Sequence, residues 1–110
     1  MEDENTQKKI AQLQLLEQNI QNILMQKQSY QQQVVELDNA LEEVSNANGG
    51  VYKVVGNIMV SSDKESVKKD LVSKKEIVSI RIKSVEKQEN QLKDKASALQ
   101  TEVLESMKEK

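Results

Sequence analysis

Two long helical patterns are divided by one short stretch, Val51-Tyr52-Lys53-Val54-Val55-Gly56-Asn57-Ile58-Met59-Val60-Ser61. Both flanks of this stretch are rich in β-branched residues, which favour strands. The two-residue connection Gly56-Asn57 suits a type I′ or II′ turn. We therefore predict a β-hairpin over residues 51–61, in which Val55 lies opposite Ile58 and Val54 lies opposite Met59.

The segment before the hairpin carries the heptad pattern of a coiled-coil helix. From Thr6 to about Ser45 it contains neither Gly nor Pro, and one register holds throughout, which predicts a helix over about 6–45. Asn46 to Gly50 would end that helix, because Asn and Gly tolerate the left-handed conformation of a C-cap. The a and d positions, which we call the seam, are Leu13, Leu16, Ile20, Ile23, Lys27, Tyr30, Val34, Leu37, Leu41 and Val44.

Lys27 is the one charged residue on the seam of this first helix. A charge at a core position can set the register of a coiled coil. Alternatively, a long lysine side chain can carry its charge out past the apolar stripe into water. We favour the second interpretation.

The segment after the hairpin predicts a second helix of similar length, from about Asp63 to Lys108. It opens with Ser62-Asp63-Lys64-Glu65, which matches a capping box formed by Ser62 and Glu65. Two helices joined by a short hairpin should fold back on each other. The fold class is therefore mainly α, a long antiparallel two-helix coiled coil connected by a β-hairpin, in one domain over 1–110. The seam of the second helix is Leu71, Lys75, Val78, Ile82, Val85, Glu89, Leu92, Ala96, Leu99 and Val103.

The composition argues against an enzyme. The 110 residues include no Cys and no His, which excludes thiolate metal sites and removes the commonest general base. No Gly-rich phosphate loop is present, and Glu42-Glu43 is better explained as solvated helix surface than as an acid–base pair. We expect no catalytic residue, no metal and no cofactor. The 16 basic and 18 acidic residues are interspersed, which disfavours a nucleic-acid partner.

A membrane partner is also disfavoured. No apolar run approaches the roughly 18 residues of a transmembrane candidate. Neither helix sets a basic face against a wide apolar one, as membrane-surface helices do. The acidic start Met1-Glu2-Asp3-Glu4-Asn5 does not fit a signal peptide. We expect a cytoplasmic protein.

The predicted hairpin is apolar on both faces, and an isolated two-stranded hairpin is marginal in water. Its unpaired edges would also promote aggregation. Pairing with strands of other copies or of a related subunit, to close a small barrel, solves both problems. The alternative is a monomer whose hairpin packs only on its own helices. The residues predicted to act in subunit assembly are Val51, Tyr52, Val54, Val55, Gly56, Ile58, Met59 and Val60.

Apolar residues off the seam cluster near the hairpin and near the two chain ends. Those near the chain ends, Ile10, Leu15, Leu104 and Met107, have no structural role in the pattern, so we predict that they bind another protein. Leu13, Leu16, Leu99 and Val103 lie beside them on the seam. These four could equally bind that protein or simply complete the coiled coil.

Several short motifs resemble the β subunit of prefoldin, most like the archaeal form. The more specific ones are the hairpin motifs and the EKQE segment of the second helix. The matching stretches are Gln26-Lys27-Gln28, Ala40-Leu41-Glu42-Glu43, Val51-Tyr52-Lys53, Gly56-Asn57-Ile58, Arg81 and Glu86-Lys87-Gln88-Glu89.

The resemblance implies a hexamer of two α-type and four β-type subunits, joined through their hairpins in a double β-barrel. It implies an ATP-independent chaperone that captures non-native proteins at its coiled-coil tips and delivers them to a group II chaperonin. The implied tip residues are Ile10, Leu13, Leu15, Leu16, Leu99, Val103, Leu104 and Met107. The alternative is a structural coiled-coil tether between two defined folded partners.

Overall fold

A computed structural model describes residues 4–108 of the chain. Helix α1 spans Glu4–Asn46, strand β1 Val51–Val55, strand β2 Ile58–Ser62 and helix α2 Lys64–Lys108. Two long helices with a β-hairpin between them are the fold class that the sequence predicts. Residues 1–3 and 109–110, which the predicted domain of 1–110 includes, lie outside the described residues.

The β-hairpin has the predicted register. Strands β1 and β2 pair antiparallel, with Val55 opposite Ile58 and Val54 opposite Met59. Gly56 has a φ of 62°, and Asn57 has no positive φ. A positive φ at the first turn position alone defines a type II′ turn, so the structure selects II′ over I′. No further strand occurs among residues 4–108, so a barrel can be completed only between chains.

The cap of α2 differs from the predicted capping box. Ser62 belongs to β2, where it pairs with Val51. The N-cap is Asp63, whose carboxylate Oδ2 accepts a hydrogen bond of 3.3 Å from the backbone N–H of Ser66. The prediction of a Ser62–Glu65 box was wrong because strand pairing extends one residue further and moves the helix start to the next capping residue.

The chain divides into two compact units. The hairpin unit is Ser29–Ile82, and the terminal unit is Met1–Gln28 with Lys83–Lys110. Within the hairpin unit the helices run antiparallel. Lys75 Nζ lies 2.6 Å from Asp38 Oδ1, and Lys64 Nζ donates to the backbone carbonyls of Ser45 at 3.0 Å and Ala47 at 3.3 Å. Lys64 thereby satisfies the carbonyl of Ser45, in the last turn of α1, and that of Ala47, just after the helix.

The described part of the terminal unit is antiparallel as well. Lys9 Nζ lies 3.7 Å from Glu102 Oε2, and Lys27 Nζ lies 3.5 Å from Glu86 Oε2. As the residue number rises along α1, the number of its partner on α2 therefore falls.

The core of each unit is a narrow stripe. Val78 in the hairpin unit and Val85 in the terminal unit are each 6% exposed, and Val103 is 8% exposed. Every predicted seam residue on either helix is buried or half-buried. The heptad pattern thus identified the packed face of both helices, as expected when apolar residues recur near the helical period.

Candidate functional site

The first candidate surface is the hairpin itself. Six of its predicted assembly residues are exposed large apolar side chains, with Val54 at 66% and Met59 at 69% exposure as the clearest cases. Val51 is half-buried, and Gly56 is exposed at the turn. An apolar surface this open is unusual on an isolated chain, which makes the hairpin a candidate surface for packing against another protein. The six are Tyr52, Val54, Val55, Ile58, Met59 and Val60.

The hairpin is anchored to the start of α2 on one side. Lys53 Nζ lies 3.2 Å from Asp70 Oδ2, and a shallow groove lies between Tyr52 and Val54 of β1 and Leu71 of α2. A Cβ built on Gly50 would meet the Tyr52 hydroxyl oxygen at 3.4 Å, so the ring lies close over the approach to β1. These contacts hold the strands in place without covering their apolar side chains.

The second candidate surface lies in the terminal unit and consists of residues predicted to bind another protein. Leu15 is 62% exposed, Leu104 53% and Met107 50%. Ile10 is half-buried instead. Counted back from Leu13 as an a position, Ile10 is an e position, at the edge of the stripe, where contact with the opposite helix is partial.

The seam residues beside this surface are less accessible to a partner. Leu13, Leu16 and Leu99 are half-buried, and Val103 is buried. Thr6, which the sequence analysis did not single out, is only 2% exposed. It lies one heptad before Leu13, so extending the spacing by seven residues would have found it.

A cluster of charges crosses the seam in the terminal unit. Lys27 Nζ lies 3.2 Å from Glu89 Oε1 and 3.5 Å from Glu86 Oε2, while Lys93 Nζ lies 2.7 Å from Glu89 Oε2. The Glu89 side chain is only 8% exposed. Lys27 therefore forms a cross-seam ion pair rather than carrying its charge past the stripe, and the favoured interpretation of this residue was wrong.

The charges in this cluster support each other's ionised forms. Hydrogen bonds from Lys93, which has the larger effect, and from Lys27 lower the pKa of the Glu89 carboxyl. A hydrogen bond to Glu89 raises the pKa of the Lys27 ammonium group, against a smaller opposing effect of burial. The sequence signal for this pair was available, because both residues occupy seam positions and carry opposite charges.

Metal ligands, buried polar atoms and membrane spans can be searched over the part of the chain that the structure describes. Among residues 4–108, no three His, Cys, Asp or Glu side chains are grouped so that they could hold a metal ion. No buried side-chain nitrogen or oxygen in the described part of the chain lacks a hydrogen-bond partner. Within that same part, neither helix has an apolar stretch long enough to cross a bilayer.

Fold and surfaces together define a class of protein: a helical hairpin with exposed large apolar side chains on its strands and near its helix ends. A family model described as "Prefoldin subunit" matches residues 7–110. The chain belongs to the prefoldin subunit family. It is 35% identical over 103 residues to the prefoldin subunit beta of Saccharolobus islandicus strain L.S.2.15, covering 92% of this chain and 82% of that protein. It is 39% identical over 93 residues to the prefoldin subunit beta of Archaeoglobus fulgidus, covering 83% of this chain and 80% of that protein.

Solved structures agree with this assignment. The crystal structure of the prefoldin beta subunit from Thermococcus strain KS-1 matches with a TM-score of 0.91 at 28% identity, covering 96% of this chain and 95% of that one. The beta2 subunit from the same strain matches with a TM-score of 0.72 at 16% identity, covering 81% and 97%, which supports the fold. The predicted resemblance to an archaeal prefoldin β subunit is confirmed.

Proposed function

We propose that this chain is a subunit of an ATP-independent holdase that captures non-native proteins at the ends of its coiled coil and passes them to a group II chaperonin. The observation that carries the proposal is the exposure of Leu15, Leu104 and Met107 in a family of chaperone subunits. These side chains are large and apolar, and none lies on a predicted seam position. Exposed apolar side chains of this kind suit a partner that itself exposes apolar segments.

Weak contacts made in parallel are enough for such a role. Full burial of one large apolar side chain contributes about 1.5–3 kcal/mol, from which the ordering of both partners must be deducted. A single subunit would therefore bind an unfolded segment weakly. Several subunits around one client raise the effective concentration and turn weak contacts into capture. Met107 adds an adaptable side chain that fits clients of varied shape.

The exposed hairpin supplies the means of assembly in this proposal. Strands β1 and β2 pair with strands of other subunits, so that their apolar side chains are buried in an intersubunit β-barrel. The partners are an α-type subunit and further copies of this chain, in a complex of two α and four β subunits. No catalytic step is part of this function, and neither a nucleic acid nor a membrane is a partner.

A light-scattering assay tests the proposal. The chain is assembled with an α-type subunit, and a chemically unfolded protein is diluted into it without nucleotide. We expect the complex to suppress aggregation. A triple variant, Leu15→Ser, Leu104→Ser and Met107→Ser, should lose most of that suppression while its mass in sedimentation stays that of the wild-type complex. Adding Ile10→Ser to the triple variant tests the half-buried fourth residue.

The matched control replaces exposed apolar residues of the hairpin unit, Val72→Ser and Ile80→Ser, which are 45% and 66% exposed. These changes remove exposed apolar side chains from another part of the helices and should leave suppression intact. A correctly assembled wild-type complex that never suppresses scattering would contradict the chaperone function and favour a tether between folded partners. Loss of the complex in the triple variant would instead show that the end residues serve assembly.

A further inference from the structure

The connection between α1 and β1 contains the dipeptide Asn48-Gly49, the one place in the chain where asparagine precedes glycine. The side-chain amide of such an asparagine can be attacked by the backbone nitrogen of the next residue. Glycine favours this attack, because it has no Cβ to hinder the approach and its backbone reaches conformations closed to other residues. In a folded protein the reaction also requires that the local backbone be free to move.

The structure leaves this dipeptide unrestrained. It lies between the end of α1 and the start of β1, so neither residue belongs to a helix or a strand. Both residues are exposed, and a Cβ built on Gly49 would meet nothing within 4 Å. The hydrogen bonds described in this connection involve Ala47 and Lys64. Among residues 4–108, none engages the Asn48 side chain or the Gly49 N–H.

The other asparagines are better protected. Each precedes a residue that has a Cβ: they are Asn5, Asn19, Asn22, Asn39, Asn46, Asn57 and Asn90. Those in α1 and α2 belong to a helical backbone, in which an N–H beyond the first turn donates to the carbonyl four residues earlier. At the end of α1, the Ala47 N–H that follows Asn46 donates to the Val44 carbonyl at 3.2 Å. Asn57 precedes a β-branched residue, whose side chain hinders attack.

We propose that Asn48 is a site of spontaneous deamidation, which converts it to aspartate and to β-linked isoaspartate. The Gly49 nitrogen gives its proton to hydroxide and forms a bond to Asn48 Cγ. The Cγ–Nδ2 bond breaks, and Nδ2 takes a proton from water and leaves as ammonia. The product is a five-membered succinimide ring. Water then opens the ring at Cγ to give aspartate, or at the main-chain carbonyl carbon to give isoaspartate. Neither step needs an oxidant or a reductant.

The modification changes the connection that joins the hairpin to α1. Either product adds one negative charge to a chain whose formal net charge is −2. Isoaspartate also routes the backbone through its side chain, which inserts one carbon atom before Gly49. The insertion follows Ala47, whose carbonyl accepts a hydrogen bond of 3.3 Å from Lys64 Nζ. The connection is therefore lengthened between this anchored carbonyl and β1. The inference goes beyond the proposed function and does not depend on it.

Peptide mapping of the folded, full-length chain tests the site. The chain is held in warm, mildly alkaline buffer, and samples taken over time are digested with trypsin. Cleavage after Lys27 and Lys53 releases residues 28–53, which carry Asn39 and Asn46 of the helix together with Asn48. We expect a gain of one mass unit at Asn48 while the two helical asparagines are unchanged. Electron-transfer fragmentation should identify isoaspartate as well as aspartate at this position.

Two glycine variants form a matched pair. Gly49→Ala places a Cβ on the attacking residue, at a site with open space and no positive φ, so it should lose the early conversion without disturbing the fold. Gly50→Ala makes the same change one residue later and leaves the reactive dipeptide intact, so it should convert like the wild type. Circular dichroism should show wild-type helix content for both. Urea should change the rate at Asn48 little, because the fold does not restrain this residue.

Three results would overturn the inference. The first is conversion of Asn48 no earlier than that of Asn39 and Asn46 in the folded chain. The second is wild-type conversion in Gly49→Ala, or aspartate without isoaspartate, since either result excludes attack through the succinimide. The third is a large acceleration of the Asn48 conversion in urea, which would show that the folded connection holds this residue in place.

Discussion

The hairpin unit and the terminal unit are built on the same heptad spacing, but the side chains at their seam positions differ in kind. The seam of the hairpin unit centres on Val78, and its cross-helix pair Lys75–Asp38 is well exposed at the edge. In the terminal unit Val85 and Val103 are buried, and the Lys27–Glu89 ion pair lies within the apolar stripe itself. The heptad spacing therefore determines which residues face the opposite helix. The residue types at those positions determine whether apolar packing or an ion pair aligns the two helices.

The outer surfaces of the two units differ in the kind of partner that they suit. The hairpin presents apolar side chains on strands whose edges also carry free backbone donors and acceptors, which demand a partner of fixed geometry. The terminal unit presents Leu15, Leu104 and Met107 on helices whose backbone groups are already paired. Such a surface imposes no hydrogen-bond register, so it can accept varied sequences.

The largest expected effect comes from the hairpin. Replacing Val54 and Met59 by Asp should weaken subunit association by about 100-fold or more, because two side chains of about 1.5–3 kcal/mol each lose their apolar burial. Sedimentation equilibrium measures the change. The same substitution at the exposed Leu15 and Met25 of the terminal unit should leave association unchanged. Equal loss in both variants would contradict the division of roles between the two surfaces.

The buried valines offer a matched comparison of the two cores. Val78→Ala and Val85→Ala remove the same atoms from sites of equal exposure, so each should lower the free energy of unfolding by about 2 kcal/mol. Chemical denaturation followed by circular dichroism measures this change. Val72→Ala, at a 45% exposed site of the hairpin unit, should cost clearly less. An unchanged midpoint for Val85→Ala would show that the terminal seam contributes little to global stability.

The turn between the strands should be sensitive to its first residue. Gly56 has a φ of 62°, and an Ala there should destabilise the hairpin by about 1–2 kcal/mol because its Cβ is crowded in the left-handed region. Gly49→Ala is the control: an added Cβ meets no other atom within 4 Å at either site, but Gly49 has no positive φ. We expect weaker association for Gly56→Ala alone. Equal behaviour of the two variants would argue against the type II′ turn.

The smallest expected effect is on pH dependence in the terminal unit. The folded pKa of Glu89 lies below its usual value of 4.5, so its stabilisation is present above the unfolded pKa and is lost as pH falls through the folded value. Lys27 behaves oppositely, because its raised pKa confines the loss to alkaline pH above about 10.5. Glu89→Gln should therefore flatten the acid side of the stability curve near and below pH 4.5. Lys83→Ala, outside the cluster, should leave that side of the curve unchanged.

Most of the local structure was predictable because it depends on short-range rules. The hairpin register followed from the two-residue turn, and the seam followed from heptad spacing. The cap of α2 was not predicted correctly, since Ser62 and Asp63 are both good capping residues. The choice between them depends on how far β2 pairs with β1, which is settled by contacts across the hairpin rather than by neighbours in sequence.

The sequence by itself determined the element order, the inward faces of both helices and an apolar hairpin that needs a partner, because periodicity and turn chemistry act within a few residues. Only the tertiary structure decided that Lys27 meets Glu89 and that Ile10 is half-buried while Leu15 is exposed. The physical reason is that these features depend on the alignment of two helices far apart in the chain, and that alignment is set by the sum of many weak contacts along the seam.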